Sequence, residues 1–245
     1  MKTNIIYNEN CFDTLKRMED DSVDIVITSP PYNMNLRIRN GQYCSRQIVK
    51  EFSTKYNEFS DNIPIEEYYE FHSKVIEELL RVSNIIFYNI QIVTGSKRAF
   101  FKIIGKFADQ IKDVVVWDKC TAQPAMAKNV LNRQYELIII FDKTNAISRQ
   151  FKKCNFGRGT LNDVWHIKRE RKTANANHGA TFPEALVETI LENFSNPNDI
   201  VYDPFMGTGT TAIVSKRMNR RWIGSEISKD YIKLSNERLK NCQLV

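Results

Sequence analysis

The sequence lacks any run of about eighteen apolar residues, which excludes an ordinary membrane-spanning helix. Its first residues also lack the apolar stretch and small-residue cleavage site of a secretory signal, so we expect a cytoplasmic protein. The five cysteines are odd in number, widely scattered and never spaced as CxxC. This pattern argues against a disulfide framework and a structural zinc site, and it predicts free thiols and no metal.

The charge balance is basic, with 35 Lys and Arg against 29 Asp and Glu and a formal net charge of +6. An excess of positive charge suits a polyanionic partner, although charge alone does not identify nucleic acid. With 245 residues, of which 42% are hydrophobic, the chain is long enough for one domain that carries a recognition insertion.

Short apolar runs alternate with amphipathic helical runs along most of the chain. This alternation predicts an α/β fold with a mainly parallel sheet. The predicted strands are 5–7, 23–27, 85–88, 114–117, 137–141, 200–202 and 221–224, and the predicted helices are 11–18, 65–82, 183–194, 210–218 and 228–239.

Two long polar stretches, 33–61 and 142–178, do not fit the alternation. Loops of that length inside a compact domain are usually functional or disordered. We interpret both as recognition insertions within a single domain spanning 1–245. Their interleaved aromatic residues are Tyr43, Phe52, Tyr56, Phe59, Phe151, Phe156 and Trp165.

The first chemical motif is TSPPY at 28–32, directly after a predicted strand. Ligands of open α/β sheets bind beyond the carboxyl ends of strands, so a reacting group belongs here. The Ser29 hydroxyl and the Pro30 carbonyl are acceptors, and Tyr32 offers a flat face to a base. Two fixed acceptors can hold both hydrogens of an exocyclic amine and direct its lone pair at a methyl group. The alternative is that the proline pair only marks a loop and has no role in binding or catalysis.

The second motif is DPFMGTGTT at 203–211, which follows a predicted strand and opens a helix. Strand, glycine turn and helix together let a ligand approach backbone N–H groups. The Gly-Lys-Ser/Thr of a P-loop and the third glycine of a dinucleotide loop are absent. Glu226, at the end of the next predicted strand, can accept hydrogen bonds from ribose hydroxyls. The alternative is that Asp203 and Glu226 cap the helices that follow them.

These motifs and their order resemble the amino-methylating DNA methyltransferases over residues 8–239. The resemblance is to the permuted group, in which the Pro-Pro-Tyr loop precedes the cofactor loop. It implies a Rossmann-like S-adenosylmethionine-dependent methyltransferase fold in permuted order, with a mainly parallel seven-stranded sheet and an antiparallel edge strand. It also implies direct methyl transfer from S-adenosylmethionine to a flipped DNA base.

Site residues follow from the resemblance position by position. The catalytic loop is Ser29, Pro30, Pro31 and Tyr32. The implied cofactor-binding residues are Asn10, Cys11, Phe182, Asp203, Phe205, Gly207, Thr208, Gly209, Thr210, Thr211 and Glu226. Asn10 stands where the family has Asp, and His178 is similar to the residue that begins the segment closing over the cofactor, ahead of ATFP at 180–183.

The target base is argued from two residues of the first loop. Ser29 favours N4 of cytosine, because family members that modify adenine mostly carry Asp there. Asn33 is commoner among adenine enzymes and favours N6 of adenine, which stays the alternative, with a base in RNA behind it. Carbon-5 methylation requires a cysteine after a proline, and the sequence has none.

The implied partner is DNA, with a companion restriction endonuclease and a homodimer as further expectations. A binding module without turnover is a third reading, and the intact motifs argue against it. The basic residues expected to meet DNA, each of which is alternatively a solvated surface charge, are Arg37, Arg39, Arg46, Lys50, Lys55, Lys152, Lys153, Arg158, Lys168, Arg169, Arg171 and Lys172.

Overall fold

The computed structural model describes residues 1–33, 36–39, 42–45, 63–123, 128–169 and 182–242, with the backbone alone at 36–39, 42–45 and 123. The strands are β1 (Ile5–Tyr7), β2 (Ile25–Thr28), β3 (Leu36–Arg39), β4 (Gln42–Ser45), β5 (Ile85–Ile90), β6 (Ile111–Gln123), β7 (Arg133–Asp142), β8 (Val164–His166), β9 (Ile200–Asp203) and β10 (Arg221–Ser225). The helices are α1 (Cys11–Leu15), α2 (Ile65–Val82), α3 (Lys97–Lys106), α4 (Glu184–Phe194), α5 (Thr210–Arg217) and α6 (Lys229–Asn241), with a short 3₁₀ turn at Ala108–Gln110.

Eight of the strands form one sheet in the order β1-β10-β9-β2-β5-β7-β6-β8. From β1 to β5 every neighbouring pair is parallel, whereas β7 is antiparallel to both β5 and β6. β8 is parallel to β6, so it runs in the same direction as β5. The predicted α/β methyltransferase-like architecture is therefore confirmed, with one strand reversed.

Two details of the predicted sheet differ from the structure. The sheet has eight strands instead of seven, and the antiparallel strand β7 lies inside it instead of at its edge. The eighth strand is β8, which emerges from the stretch predicted as a loop and pairs with β6. β7 is internal because β6 pairs with the side of it that faces away from β5. Only Trp165 of its three residues is buried, which is too short a signal to predict a strand.

Apolar side chains cover both faces of the sheet because successive residues of a strand point to opposite sides. On one face, α1, α2 and α3 pack over strand residues such as Val26 and Ile86. On the other face, α4 and α5 pack over Ile25, Ile27 and Phe87. Helix α3 lies outside the predicted helices, although it buries three apolar residues, Ala99, Phe100 and Ile103.

The chain reverses its progress across the sheet between β9 and β2, which are neighbours. From β2 it passes through α2 to β5 on one side, and from β9 through α5 to β10 on the other. The crevice beyond the carboxyl ends at such a switch point is where open α/β sheets bind ligands. The loops that follow β2 and β9 are the two predicted motifs.

Two composition-based expectations bear on the described residues. Cys11, Cys120, Cys154 and Cys242 are free thiols, as predicted, and the side chain of Cys44 lies outside the described residues. Within the ranges given above, no helix is both long and apolar enough to cross a membrane.

Candidate active site

A cleft opens at the carboxyl ends of β1, β10, β9 and β2 and encloses about 740 Å³ including its mouth. Ser29 from the first motif and Gly207 from the second line this same cleft. The other lining residues are Glu9, Asn10, Cys11, Pro31, Phe71, Pro204, Phe205, Ser225, Glu226, Ile227, Ser228 and Tyr231.

Asp203 is buried beneath the cleft and joins three elements. One carboxylate oxygen accepts hydrogen bonds from the Thr28 hydroxyl at 2.8 Å and the Phe205 N–H at 3.0 Å, and the other accepts from the Thr211 hydroxyl at 2.7 Å. Burial raises the pKa of Asp203 to about 6 against the effect of these donors. The N-cap residue of α5 is Gly209. Asp203 therefore anchors the loop before the helix and does not cap the helix.

Glu226 lies on the cleft wall and holds the glycine loop against β10. Its carboxylate accepts from the Gly207 N–H and the Ser228 N–H, each at 2.8 Å. Burial raises the pKa of Glu226, and these two backbone donors oppose the rise. Ser228 is the residue that caps α6, so Glu226 has a role beyond helix capping.

Glycine is required at position 209 for two reasons. Its φ of 84° lies in the left-handed region, which strains other residues. A Cβ there would also lie 2.8 Å from the Cβ of Ser235. The loop between β9 and α5 can therefore close onto α6 only without a side chain at this position.

The turn after β1 supplies a second wall of the cleft. Asn10 caps α1, because its side-chain oxygen accepts from the Phe12 N–H at 3.0 Å. Cys11 is buried against the cleft, and burial raises the pKa of its thiol to about 12. Both predicted residues line the cleft, and Glu9 beside them is held by Thr14 and Arg17.

The Ser-Pro-Pro-Tyr loop is held from behind by a buried polar network that the motif alone does not reveal. The Tyr32 hydroxyl lies 2.8 Å from the Ser29 oxygen and donates to Glu136 at 3.0 Å. The Asn89 amide contacts Tyr32 at 2.6 Å, Glu136 at 2.8 Å and Ser29 at 3.3 Å. Lys119 donates to the other oxygen of Glu136 at 3.1 Å.

The network could have been suspected from polar residues inside apolar strands. Asn89 interrupts the apolar run of β5, and Glu136 precedes the apolar run of β7. Lys119 follows the apolar run of β6 and is fully buried. Burial lowers the pKa of Lys119, while Glu136 opposes that shift and Arg169 and Arg133 add to it.

Comparison with known proteins decides what this cleft belongs to. A family model described as DNA methylase, of the N6/N4 type, matches residues 23–237. The chain belongs to the N6/N4 DNA methylase family. It is 30% identical to Type II methyltransferase M.BglII of Bacillus subtilis, over 96% of this chain and 69% of that protein.

Solved structures show the same fold. The PvuII DNA methyltransferase (cytosine-N4-specific) superposes with a TM-score of 0.73 at 16% identity, over 97% of this chain and 86% of its own. The complex of M1.HpyAVI with SAM superposes with a TM-score of 0.63 at 21% identity, over 96% and 98%. At these levels of identity, the superpositions show that the fold is shared.

Not every predicted site residue of the DNA methylase reaches the cleft. Pro30 is buried, as is Tyr32 with its hydroxyl turned inward. Phe182 packs edge-on against Trp117, with ring centroids 6.4 Å apart, in the core under α4. Four predicted residues of the glycine loop do not line the cleft but stabilise the loop through their contacts, namely Thr208, Gly209, Thr210 and Thr211. His178, Ala180 and Thr181 lie outside the described residues.

The second predicted recognition stretch divides into two parts. Its first part lies at the amino-terminal edge of the sheet, opposite the cleft, where Lys153 pairs with Asp24 and Asp199 at 3.1 and 2.9 Å. Phe151 and Phe156 pack on Phe194 of α4, with centroids 5.1 and 5.3 Å away. These aromatic rings, like buried Trp165, pack in the hydrophobic core.

Among the described residues of that stretch, those that follow β8 reach the edge that carries the cleft. Lys168 and Arg169 follow β8 there and are exposed. Arg37 and Arg39 lie on β3, of which only the backbone is described. Five of the other predicted basic residues lie outside the described residues, namely Arg46, Lys50, Lys55, Arg171 and Lys172.

One group of metal-ligand side chains occurs in the part of the chain that the structure describes. The ligand atoms of Asp118, Cys120 and His166 lie within 4.8 Å of one another. His166 is bonded to Asp118 at 2.7 Å, and Gln134 and the Cys120 N–H occupy the other carboxylate oxygen. Hydrogen bonds within the protein therefore account for this group.

Proposed function

We propose that this DNA methylase transfers the methyl group of S-adenosylmethionine directly to the exocyclic amine of a flipped DNA base, with N4 of cytosine as the favoured target. The observation that carries the proposal is the single cleft lined by both Ser29 and Gly207 at the switch point of the sheet. The loop that binds the amine and the loop that binds the methyl donor must lie close together for the methyl group to be transferred.

The side chains that line the cleft fit the chemistry of S-adenosylmethionine. The Glu226 carboxylate offers acceptors for ribose hydroxyls, and Phe205 and Phe71 offer apolar surface to a nucleoside. Gly207 leaves space at the cleft wall, since even a Cβ there would meet nothing closer than the Phe205 carbonyl at 3.8 Å. M1.HpyAVI, which shares the fold, is a complex with SAM.

The residues of the chain act on the amine. When bound, S-adenosylmethionine supplies an electrophilic methyl carbon with sulfur as the leaving atom. Ser29 and the Pro30 carbonyl accept the two amine hydrogens, which directs the nitrogen lone pair at that carbon. The C–N bond would form as the C–S bond breaks, S-adenosylhomocysteine would be the leaving group, and the methylated nitrogen would release one proton to water. Tyr68 donates to the Pro31 carbonyl at 3.0 Å, so that carbonyl is already engaged by the protein.

The base assignment rests on Ser29, and the opposing signal has a structural explanation. Asn33 adopts a φ of 52°, a left-handed conformation that Asn tolerates better than most residues. Its side chain is buried and donates to the Ile63 carbonyl at 2.9 Å. The backbone therefore accounts for Asn33 without reference to adenine, which remains the second candidate.

The DNA would approach the edge of the sheet that carries the cleft. Lys168 and Arg169 are exposed at this edge, and the charges of Arg169 and Arg133 reach the Lys119 site. Such a basic rim can bind phosphates while the base is extruded into the cleft. We further propose a cytoplasmic enzyme with a companion restriction endonuclease, and a homodimer that sedimentation analysis would detect.

The test is a methylation assay with labelled S-adenosylmethionine and duplex DNA, followed by nucleoside mass spectrometry. We expect label in DNA as N4-methylcytosine, lost in Ser29→Ala and retained in Ser148→Ala, a serine at the opposite edge of the sheet. N6-methyladenine would overturn the base assignment and leave the mechanism standing. If folded protein labels none of the DNA substrates, the proposed methyltransferase activity is wrong.

A further inference from the structure

We propose that Glu136 is a positioning residue that sets the direction of the hydrogen bonds around Ser29, so that the serine hydroxyl presents an oxygen lone pair to the amine. This inference rests on the proposed function, because only an amine-binding Ser29 needs to be an acceptor. A hydroxyl can donate or accept, so the proposed role of Ser29 requires something to fix its orientation.

The first step is that an ionised carboxylate only accepts hydrogen bonds. Two groups face the same Glu136 oxygen, the Tyr32 hydroxyl at 3.0 Å and the Asn89 side chain at 2.8 Å. Both must therefore donate to it. The orientation of the Asn89 amide follows: its nitrogen faces Glu136, because the amide oxygen in that place would be repelled by the carboxylate charge.

The second step carries this direction to Ser29. The single hydrogen of the Tyr32 hydroxyl is committed to Glu136, so its oxygen can only accept from its other neighbours. Those neighbours include the Asn89 amide at 2.6 Å and the Ser29 hydroxyl at 2.8 Å. The Ser29 hydrogen consequently points at Tyr32. Asn89 donates to the Ser29 oxygen at 3.3 Å, and the second lone pair of that oxygen remains for the cleft.

The third step is that the Lys119 ammonium, which can only donate, faces the other oxygen of Glu136. The Lys119 ammonium lies 3.1 Å from the carboxylate, and the two side chains are 0% and 10% exposed. A neutral amide in place of this carboxylate would be a donor as well as an acceptor and could reverse every bond in the chain. Buried ion pairs contribute little net stability, so stability alone does not explain a pair at this place.

The test compares isosteric variants in the full chain. Glu136→Gln removes the charge and adds a donor, and Tyr32→Phe removes the hydroxyl but keeps the ring. We expect each to lower kcat tenfold or more and to leave the Kd of S-adenosylmethionine within twofold. Because both act through one hydrogen-bond chain, the double variant should lose no more than the more affected single variant.

The control is Asp142→Asn, which removes a buried carboxylate from the opposite end of the same strand. It should lower Tm as much as Glu136→Gln and leave kcat unchanged. Unchanged kcat in Glu136→Gln, or losses that multiply in the double variant, would overturn the inference while wild-type turnover upholds the proposed function. An inactive wild type would overturn the proposed function and this inference with it.

Discussion

The Thr28 hydroxyl donates a 2.8 Å hydrogen bond to the Asp203 carboxylate across 175 residues of sequence. Both side chains are buried, and their strands β2 and β9 are neighbours at the switch point. Ser29 follows the donor and the glycine loop follows the acceptor. The bond therefore fixes the distance between the two loops, and a shift of about 1 Å in such a site can cost about 10²-fold in rate.

Breaking this connection should affect the two loops unequally. Thr28→Val removes one donor and should lower kcat about tenfold with a small change in cofactor affinity. Asp203→Ala also frees the Phe205 N–H and the Thr211 hydroxyl, so it should weaken S-adenosylmethionine binding about tenfold or more. Calorimetric Kd values and single-turnover rates measure both effects. Wild-type affinity in Asp203→Ala would contradict the role assigned to the glycine loop.

Tyr32→Ala should reduce turnover far more than cofactor affinity. The side chain is buried behind Ser29 and does not line the cleft, so its loss disorders the catalytic loop and leaves the cofactor walls intact. We expect kcat to fall about 10²-fold or more, as when a positioned group is lost. Equilibrium binding of S-adenosylmethionine should stay within about twofold. The opposite pattern would mean that the two sites have been exchanged.

Gly209→Ala should destabilise the protein by about 1–3 kcal/mol, because it combines left-handed backbone strain with a 2.8 Å approach to Ser235. Gly105→Ala is the matched control, since a Cβ there meets nothing within 4 Å and helix α3 favours alanine. Urea unfolding should show Gly105→Ala as neutral or stabilised. Equal stability of the two variants would contradict the close packing of the glycine loop on α6.

Asp203 should make stability fall as pH rises. Its folded pKa of about 6 exceeds the unfolded value of 3.8, so the folded state binds the proton more tightly. The stabilising contribution is therefore complete below the unfolded pKa and is lost as pH rises through about 6. Relative to Asp203→Asn, wild type should lose about 2 kcal/mol between about pH 4.5 and 7.5. A pH-independent difference in unfolding free energy would contradict this shift.

DNA affinity should depend on one edge of the sheet. The double variant Lys168→Ala/Arg169→Ala should weaken duplex binding and reduce the slope of log K against log salt by about 1.8, as for two lost phosphate contacts. The control is Lys152→Ala/Arg158→Ala, which removes two exposed charges from the opposite part of the same stretch. Fluorescence anisotropy at several salt concentrations measures both. Equal losses would indicate non-specific attraction by net charge.

Local sequence was sufficient to predict the two reacting loops. TSPPY and DPFMGTGTT each combine strand, turn and helix signals within a few residues, and strands of a parallel sheet end at one edge. The shared cleft of Ser29 and Gly207 follows from those rules. The aromatic residues of 142–178 show where such rules end, because Phe151 and Phe156 occur in a polar stretch yet pack on Phe194.

The sequence by itself determined the family, the order of the two motifs and the chemistry that their side chains permit, because these depend on residues adjacent in the chain. Only the tertiary structure decided which partners orient them. Glu136 lies 104 residues from Tyr32, and Asn89 lies 57 from it. Hydrogen bonds form between atoms about 3 Å apart whatever their separation in the chain, so the direction of the bonds around Ser29 exists only once the strands β2, β5 and β7 have paired.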